Sequence, residues 1–501
     1  MSDKLAELKA RLAEADDLAS AAELLMWDQQ THMPPGGAEA RGRQIATLQR
    51  LAHEKFTDDA IGNLLDALGQ SRPDLPYDSD EAALLRVTER KYRQATQIPS
   101  DFVAKVSAHT SAVYSVWTTA RPANDFAALR PMLEKTLELS LRYADYFPGY
   151  TEAINLFIDQ SDFGMDAASV ASVFDQLRAE LVPLVQAIAE HPPADDSVLR
   201  QGYAEAEQIA FGEEVARQLG YDFSRGRQDK THHPFATKFS INDVRITTRL
   251  DENFLSQGLF GTIHETGHAM YEQGVAQALE ATPLASGTSA GVHESQSRLW
   301  ENLVGRSRNF WTHFYAPLQR VFPAQLSDVS LDTFYRAINK VEPSLIRVEA
   351  DEVTYNLHVM LRFDLERALL NGELAVADLP AAWNARMEAD LGLTPPDDRD
   401  GVLQDVHWYC GLIGGGFQGY TLGNVMSAQF FAAAQNAHPQ IPDQIRAGSF
   451  DTLRGWLTEN IYCHGMKYTA DEVVQRATGG PLSIEPYMAY LRGKYGELYG
   501  L

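Results

Sequence analysis

Residues 264–268 read His-Glu-Thr-Gly-His, inside the run FGTIHETGHAMYEQG at 260–274. On a helix, side chains four apart share a face and lie about 6 Å apart along the axis. His264 and His268 can therefore turn two imidazoles toward one divalent ion. Glu265, beside the first of them, can then reach a water at that ion without being a ligand. The same residues could share a helix by chance, and a catalytic metal centre needs a third protein ligand and an open position. The chain offers SAGVHESQSRLWEN at 289–302. Glu294 lies 26 residues beyond His268, enough chain for the first helix to end, turn through ATPLASGTS and return antiparallel. Glu294 is the expected third ligand. Glu301, further along the same helix, is the alternative, or an outer carboxylate.

Three other clusters carry groups that could do chemistry. Ile346-Arg347-Val348-Glu349-Ala350-Asp351 is expected to open a helix with an arginine among carboxylates, although an ordinary salt-bridged surface has the same pattern. Gln404, Asp405, His407 and Trp408 fall close together, and a histidine beside a tryptophan also suits simple packing. His233-Pro234-Phe235 precedes Asp243-Val244-Arg245-Ile246-Thr247, which taken alone reads as a turn and an edge strand.

A mostly helical chain has to position these groups. Leu5, Leu8, Leu12 and Ala15 recur at helical spacing, and Leu24, Leu25 and Trp27 continue the stripe until Met33-Pro34-Pro35-Gly36-Gly37 breaks it. Similar stretches predict helices at 38–54, 80–96, 99–118, 125–146 and 167–191, then 289–310, 332–340, 346–371 and 424–436. KFSINDVRITTRL (238–250) differs: Val244 and Ile246 alternate with Arg245 and Thr247, predicting a short strand pair or edge strand. GLIGGGFQGYTLGN (411–424) reads as a glycine-rich loop without the Gly-Lys-Ser/Thr ending of a phosphate-binding loop.

The bulk composition narrows the classes. A chain of 501 residues, 45% hydrophobic and 22% charged, is ordinarily globular. Its formal charge of −25 disfavours nucleic acid or an anionic membrane as partner, since phosphates call for Lys and Arg. Cys410 and Cys463 are the only cysteines, too few for a disulfide framework, and a cytoplasmic setting is expected. The start, MSDKLAELKARLAEADD, has no apolar core of a signal peptide, and no apolar run of about 18 residues predicts a membrane span.

Taken in order, His233-Pro234-Phe235, Asp243-x-Arg245-x-Thr247, His264-Glu265-x-x-His268, His293-Glu294-Ser295, Ile346-Arg347-x-x-Ala350-Asp351 and Gly401-x-x-Gln404-Asp405-x-His407-Trp408 resemble the carboxypeptidase Taq family of metallopeptidases. MWDQQTHMPPGGAEARGRQ (26–44) is also similar, so the likeness spans nearly the whole chain. The resemblance implies a mainly α, helical zincin-type fold with a deep groove and a small β-sheet near the metal helix. It implies one catalytic domain over 1–501, with 1–230 helical and 231–501 the catalytic half, commonly as a homodimer; the length of the amino-terminal helices suggests a lid over the groove. The implied activity is a metal-dependent carboxypeptidase that removes single residues from peptide C-termini, broadly, using zinc or in some members cobalt.

The resemblance also suggests roles. His264, His268 and Glu294 hold the metal, and Glu265 is the general base. By likeness to related helical zincins, His407 and Tyr420 stabilise the oxyanion, with Tyr420 expected on the mobile glycine-rich loop. A free C-terminal carboxylate suits an arginine fork: Arg347 is the first candidate and Arg245 the second. The His233 and Arg245 motifs are expected to close one end of the groove. Asp243, Asp351 and Asp405 read either as carboxylates that orient a histidine or arginine, or as caps and surface charges. An oligoendopeptidase or dipeptidyl carboxypeptidase on the same scaffold is the alternative activity, and product size separates them. A scaffold protein with an accidental motif would bind no stoichiometric metal.

Overall fold

The computed structural model describes residues 2–70 and 72–501. Helices dominate it, as the apolar period predicts. The amino-terminal ones run Ser2–Thr31, Ala38–Phe56, Asp59–Gly69 and Asp80–Gln97, followed by Ser100–Ala120, Phe126–Asp145 and Ala167–Ala189. The prolines and glycines after Met33 form a short turn, and Ala38–Phe56 then folds back along Ser2–Thr31. Asp58, Ser79, Asp125 and Asp166 each cap a helix by accepting a backbone N–H of its first turn.

A three-stranded sheet interrupts the helices: β1 (Gln228–Lys230), β2 (Ala236–Ser240) and β3 (Asp243–Thr248). Its order is β1-β3-β2, with β2 antiparallel and β1 parallel to β3. Ile246 stands opposite both Gln228 and Ala236, and a register shift falls between Lys238 and Ser240. The strand pair expected at 238–250 is present. β1 escapes a periodicity reading because Gln-Asp-Lys carries no β-branched or aromatic residue. β3 packs on the helix Leu255–Gly274, which carries the HExxH motif.

Three expected elements change. The helix expected at 289–310 divides into Ala290–Arg298, a wider π turn at Leu299–Val304, and a new helix from Arg308 capped by Ser307. The helix expected from Ile346 starts only at Tyr355. Asp351 causes the delay, because its carboxylate accepts the N–H groups of Glu342, Val353 and Thr354. The glycine-rich loop ends early, since the helix Gln418–Ala437 already contains Tyr420.

Apolar side chains bury into two clusters. The larger draws on residues from Val113 to Tyr499 and surrounds the motif helix. The smaller joins Leu8, Leu12, Ile61, Leu65 and Leu84 of the amino-terminal helices to Ile241, Val275, Leu279 and Leu284. A polar latch lies beside it: the Arg245 guanidinium sits 4.3 Å from the Trp27 ring centre, and His32 Nε2 is 2.7 Å from Asp229. No helix among the described residues is long and apolar enough to cross a membrane.

Candidate active site

Two helices meet at the motif. Gly267 faces Ala290–Arg298 so closely that an added Cβ would lie 2.6 Å from the Gln296 carbonyl oxygen and 2.7 Å from Ser297 Cα. On the far side, a Cβ at Gly423 of Gln418–Ala437 would lie 2.7 Å from Glu294 Cβ. The helix carrying Glu294 is thus wedged between two neighbours whose glycines admit it.

This packing brings His264, His268 and Glu294 together, with one donor atom of each inside a sphere where all lie within 4.8 Å of one another. Glu294 Oε2 is 3.7 Å from His264 Nε2 and 3.4 Å from His268 Nε2. Ligands bound tetrahedrally at about 2.0–2.1 Å stand roughly 3.4 Å apart. The set therefore fits a divalent ion with little movement, and its two imidazoles and one carboxylate are the donors of an open catalytic site. Arg298 Nε donates to the other Glu294 oxygen at 2.7 Å, and Ser297 Oγ is 3.1 Å from Oε2, the oxygen that faces the two histidines.

Outer groups hold the rings of His264 and His268. His264 Nδ1 is 2.9 Å from Glu301, which also receives Arg306 at 3.1 Å. Glu301 thus stands behind His264, the second of the two positions its spacing allowed. Arg298, one turn beyond Glu294, was missed in the sequence; the Glu-x-x-x-Arg spacing is the signal that could have found it. Glu265 is buried between these groups, and burial is the main cause that pushes its carboxyl up to about 7, outweighing the pull of His264.

The site opens into a groove of about 770 Å³ lined by His233, Arg249, Arg347, Tyr355, His407 and Tyr420, with Trp117 and Arg121 from the amino-terminal half. His407 Nδ1 lies 2.5 Å from Asp405, and its Nε2 is 3.3 Å from the Tyr420 hydroxyl. Asp405 also receives Arg347 Nε at 2.5 Å and Arg362 Nε at 3.0 Å. Burial alone would raise the Asp405 carboxyl, but His407 and the two arginines hold it well below the usual carboxylate range. Arg347 also donates to the Tyr355 hydroxyl at 2.9 Å. Asp351 is spent on the backbone N–H groups of Glu342, Val353 and Thr354 and lies outside the groove lining.

Arg245 is the expected site residue that does not reach the groove. Both of its forks' donors go to Asp243, at 2.8 Å each, and its face stacks on Trp27 and Phe239. Alternation along β3 points it to the amino-terminal helices, away from the metal helix. Tyr420 is in the groove, but on the first turn of a helix rather than on a swinging loop.

Two histidines and a later glutamate on packed helices, with a buried carboxylate beside them and a groove above, define a helical HExxH metallopeptidase. Residues 7–495 match the carboxypeptidase Taq (M32) metallopeptidase family. The chain is 41% identical over 493 residues to thermostable carboxypeptidase 1 of Thermus thermophilus and 37% identical over 483 residues to carboxypeptidase 1 of Bacillus subtilis, with 96% of each chain covered in both cases. Its fold superposes on the crystal structure of an M32 carboxypeptidase from Deinococcus radiodurans with a TM-score of 0.97, at 52% identity and full coverage of both chains. The chain belongs to the carboxypeptidase Taq family and is a metal-dependent carboxypeptidase.

Proposed function

We propose that the protein removes single residues from the C-termini of peptides with broad preference, using zinc, or cobalt in its place, held by His264, His268 and Glu294. The observation that carries this reading is the convergence of those three donors at the floor of a groove whose wall carries Arg347. A divalent ion there supplies a Lewis acid that acidifies a water and polarises the scissile carbonyl. Glu265 accepts the proton of the attacking water and passes it to the leaving amine. Burial of Glu265 favours its protonated form, which helps it hold the proton it takes until the amine leaves. The Tyr420 hydroxyl and His407 Nε2 donate to the oxyanion, with Asp405 orienting the His407 ring. Arg347 spends its side-on fork on Asp405, and its remaining outward N–H groups receive the substrate's terminal carboxylate end-on. His233 helps close one end of the groove; Arg245 is left out of the carboxylate clamp. A homodimer and a cytoplasmic setting complete the proposal, supported by the family resemblance and by two free cysteines.

Mass spectrometry of a timed digest tests it, using one peptide with free or amidated C-terminus and protein loaded with metal or chelated. Stepwise loss of single residues from the free form, stopped by chelation, is the expected result. Dipeptide release or internal cuts would transfer the activity to the alternative peptidase modes. Glu265→Gln should keep stoichiometric zinc and lower kcat by about 10²–10⁴-fold; loss of zinc with turnover would make Glu265 structural instead.

A further inference from the structure

The second histidine ligand is backed differently from the first. His264 meets a carboxylate directly, whereas His268 Nδ1 lies 2.6 Å from another imidazole nitrogen, His293 Nδ1. His293 Nε2 in turn lies 2.8 Å from Glu272 Oε1. His268 and Glu272 are one turn apart on the motif helix, and His293 reaches across from the first turn of Ala290–Arg298. The bridging ring has little freedom: its centre is 5.2 Å from that of Tyr271, and a Cβ on Gly287 would lie 2.8 Å from its edge.

The proton positions along this line follow from the far end. Glu272 is buried, and Ser286 Oγ at 2.9 Å and the Gly287 N–H at 3.0 Å both donate to the oxygen that faces His293. Lys238 Nζ stands 3.5 Å from its other oxygen. Glu272 Oε1 already accepts from Ser286 and Gly287, and Lys238 lies beside Oε2, so the carboxylate accepts from His293 as well. His293 Nε2 then donates to it, and the 2.6 Å contact between the two Nδ1 atoms has room for one hydrogen, which on His268 makes His293 Nδ1 the acceptor. That leaves the lone pair of His268 on Nε2, the atom that faces Glu294 at 3.4 Å. A hydrogen on His293 Nδ1 would reverse the order and close His268 Nε2 to a metal.

We propose that Glu272, acting through His293, is a positioning residue that sets the tautomer and ring orientation in which His268 presents Nε2 to the metal. The inference rests on the reading of His268 as a ligand and adds two residues to it. The two ligand histidines are then held by carboxylates at unequal range, Glu301 at first hand and Glu272 through the His293 ring. The Glu272 charge reaches the ion only as polarisation of that ring.

The test measures metal binding rather than turnover. Apo forms of the parent, Glu272→Gln and His293→Phe are titrated with zinc against a chromophoric chelator, and the absorption spectrum of each is recorded after cobalt loading. The expected result is a zinc Kd raised about 10–100-fold in both variants, with a changed cobalt spectrum. A Kd within about two-fold of the parent in either folded variant overturns the relay. Should Glu272→Gln fail to fold, because its oxygen also anchors Ser286 and Gly287, His293→Phe decides alone. A parent that binds no zinc would instead refute the metal centre itself, so the two failures are distinct.

Discussion

At the scale of single residues, Arg347 and Glu366 make separable predictions. Arg347 is buried, paired with Asp405 and still part of the groove wall, so its planar fork rather than its charge is what a substrate carboxylate would read. Arg347→Lys keeps the charge. It should lower kcat/KM on free-carboxylate peptides by about 10–100-fold, the worth of one or two charged hydrogen bonds, and leave any residual cleavage of amidated peptides unchanged. Equal losses on both would remove Arg347 from substrate recognition. Glu366 lies beneath the glycine-rich loop, accepting from Trp408 Nε1 at 2.9 Å and facing the N–H groups of Gly414, Gly415 and Gly416. Burial pushes its carboxyl from 4.5 up to about 7. The native state therefore holds this proton where the unfolded chain has lost it, and the Glu366 contribution to stability falls as pH rises from about 4.5 to about 7. Glu366→Gln should flatten that part of the profile in urea midpoints measured between pH 4.5 and 8; an unchanged slope would place the titration elsewhere. In the sequence, His264, His268 and Glu294 were legible because their spacing favours a metal site and the ordered motifs around them resemble those of one family. Glu366, Glu272 and Arg298 were not, because a buried carboxylate or arginine looks like a surface charge until its neighbours are known.

Elements carry the ligand geometry. The Thr-Gly pair inside HETGH is silent as chemistry, yet Gly267 sets how closely the two ligand helices approach. Gly267→Ala would press a methyl group against backbone atoms of Gln296 and Ser297, which cannot rotate aside. The expected cost is about 1–3 kcal/mol of stability, with zinc affinity lowered as well because Glu294 moves with its helix. Thermal unfolding of the apo protein and zinc titration check both; an unchanged zinc Kd would mean that the helix pair yields without moving Glu294. Many of the helices were readable from the apolar period, although Asp59–Gly69, Glu205–Leu219, Leu379–Leu391 and Glu485–Tyr499 were not, nor were three limits. The delayed start at Tyr355 depends on the Asp351 carboxylate, the early start at Gln418 on the packing of the loop before it, and the π turn on the tertiary site it serves. Arg245 shows the same limit in a strand, since alternation gives two faces without saying which one meets the groove.

For the whole molecule, net charge and the division of the core matter most. A chain with a formal charge of −25 repels acidic peptides over distances set by the Debye length, which shrinks from about 30 Å at 0.01 M to about 8 Å at 0.15 M salt. Raising salt across that range should increase kcat/KM for acidic peptides and decrease it for basic ones; parallel changes would show that the local groove field dominates. The smaller apolar cluster has a further consequence, in the order of synthesis. Its amino-terminal helices are complete at Gln97, but Ile241, Val275, Leu279 and Leu284, which cover them, are translated about 140 residues later and beyond. At about 5–20 residues per second that is roughly 7–30 s during which the nascent helices lack their cover. In that interval the helices up to Gln97 have only one another to cover their apolar stripes, and their late partners include the loop that follows the helix Leu255–Gly274.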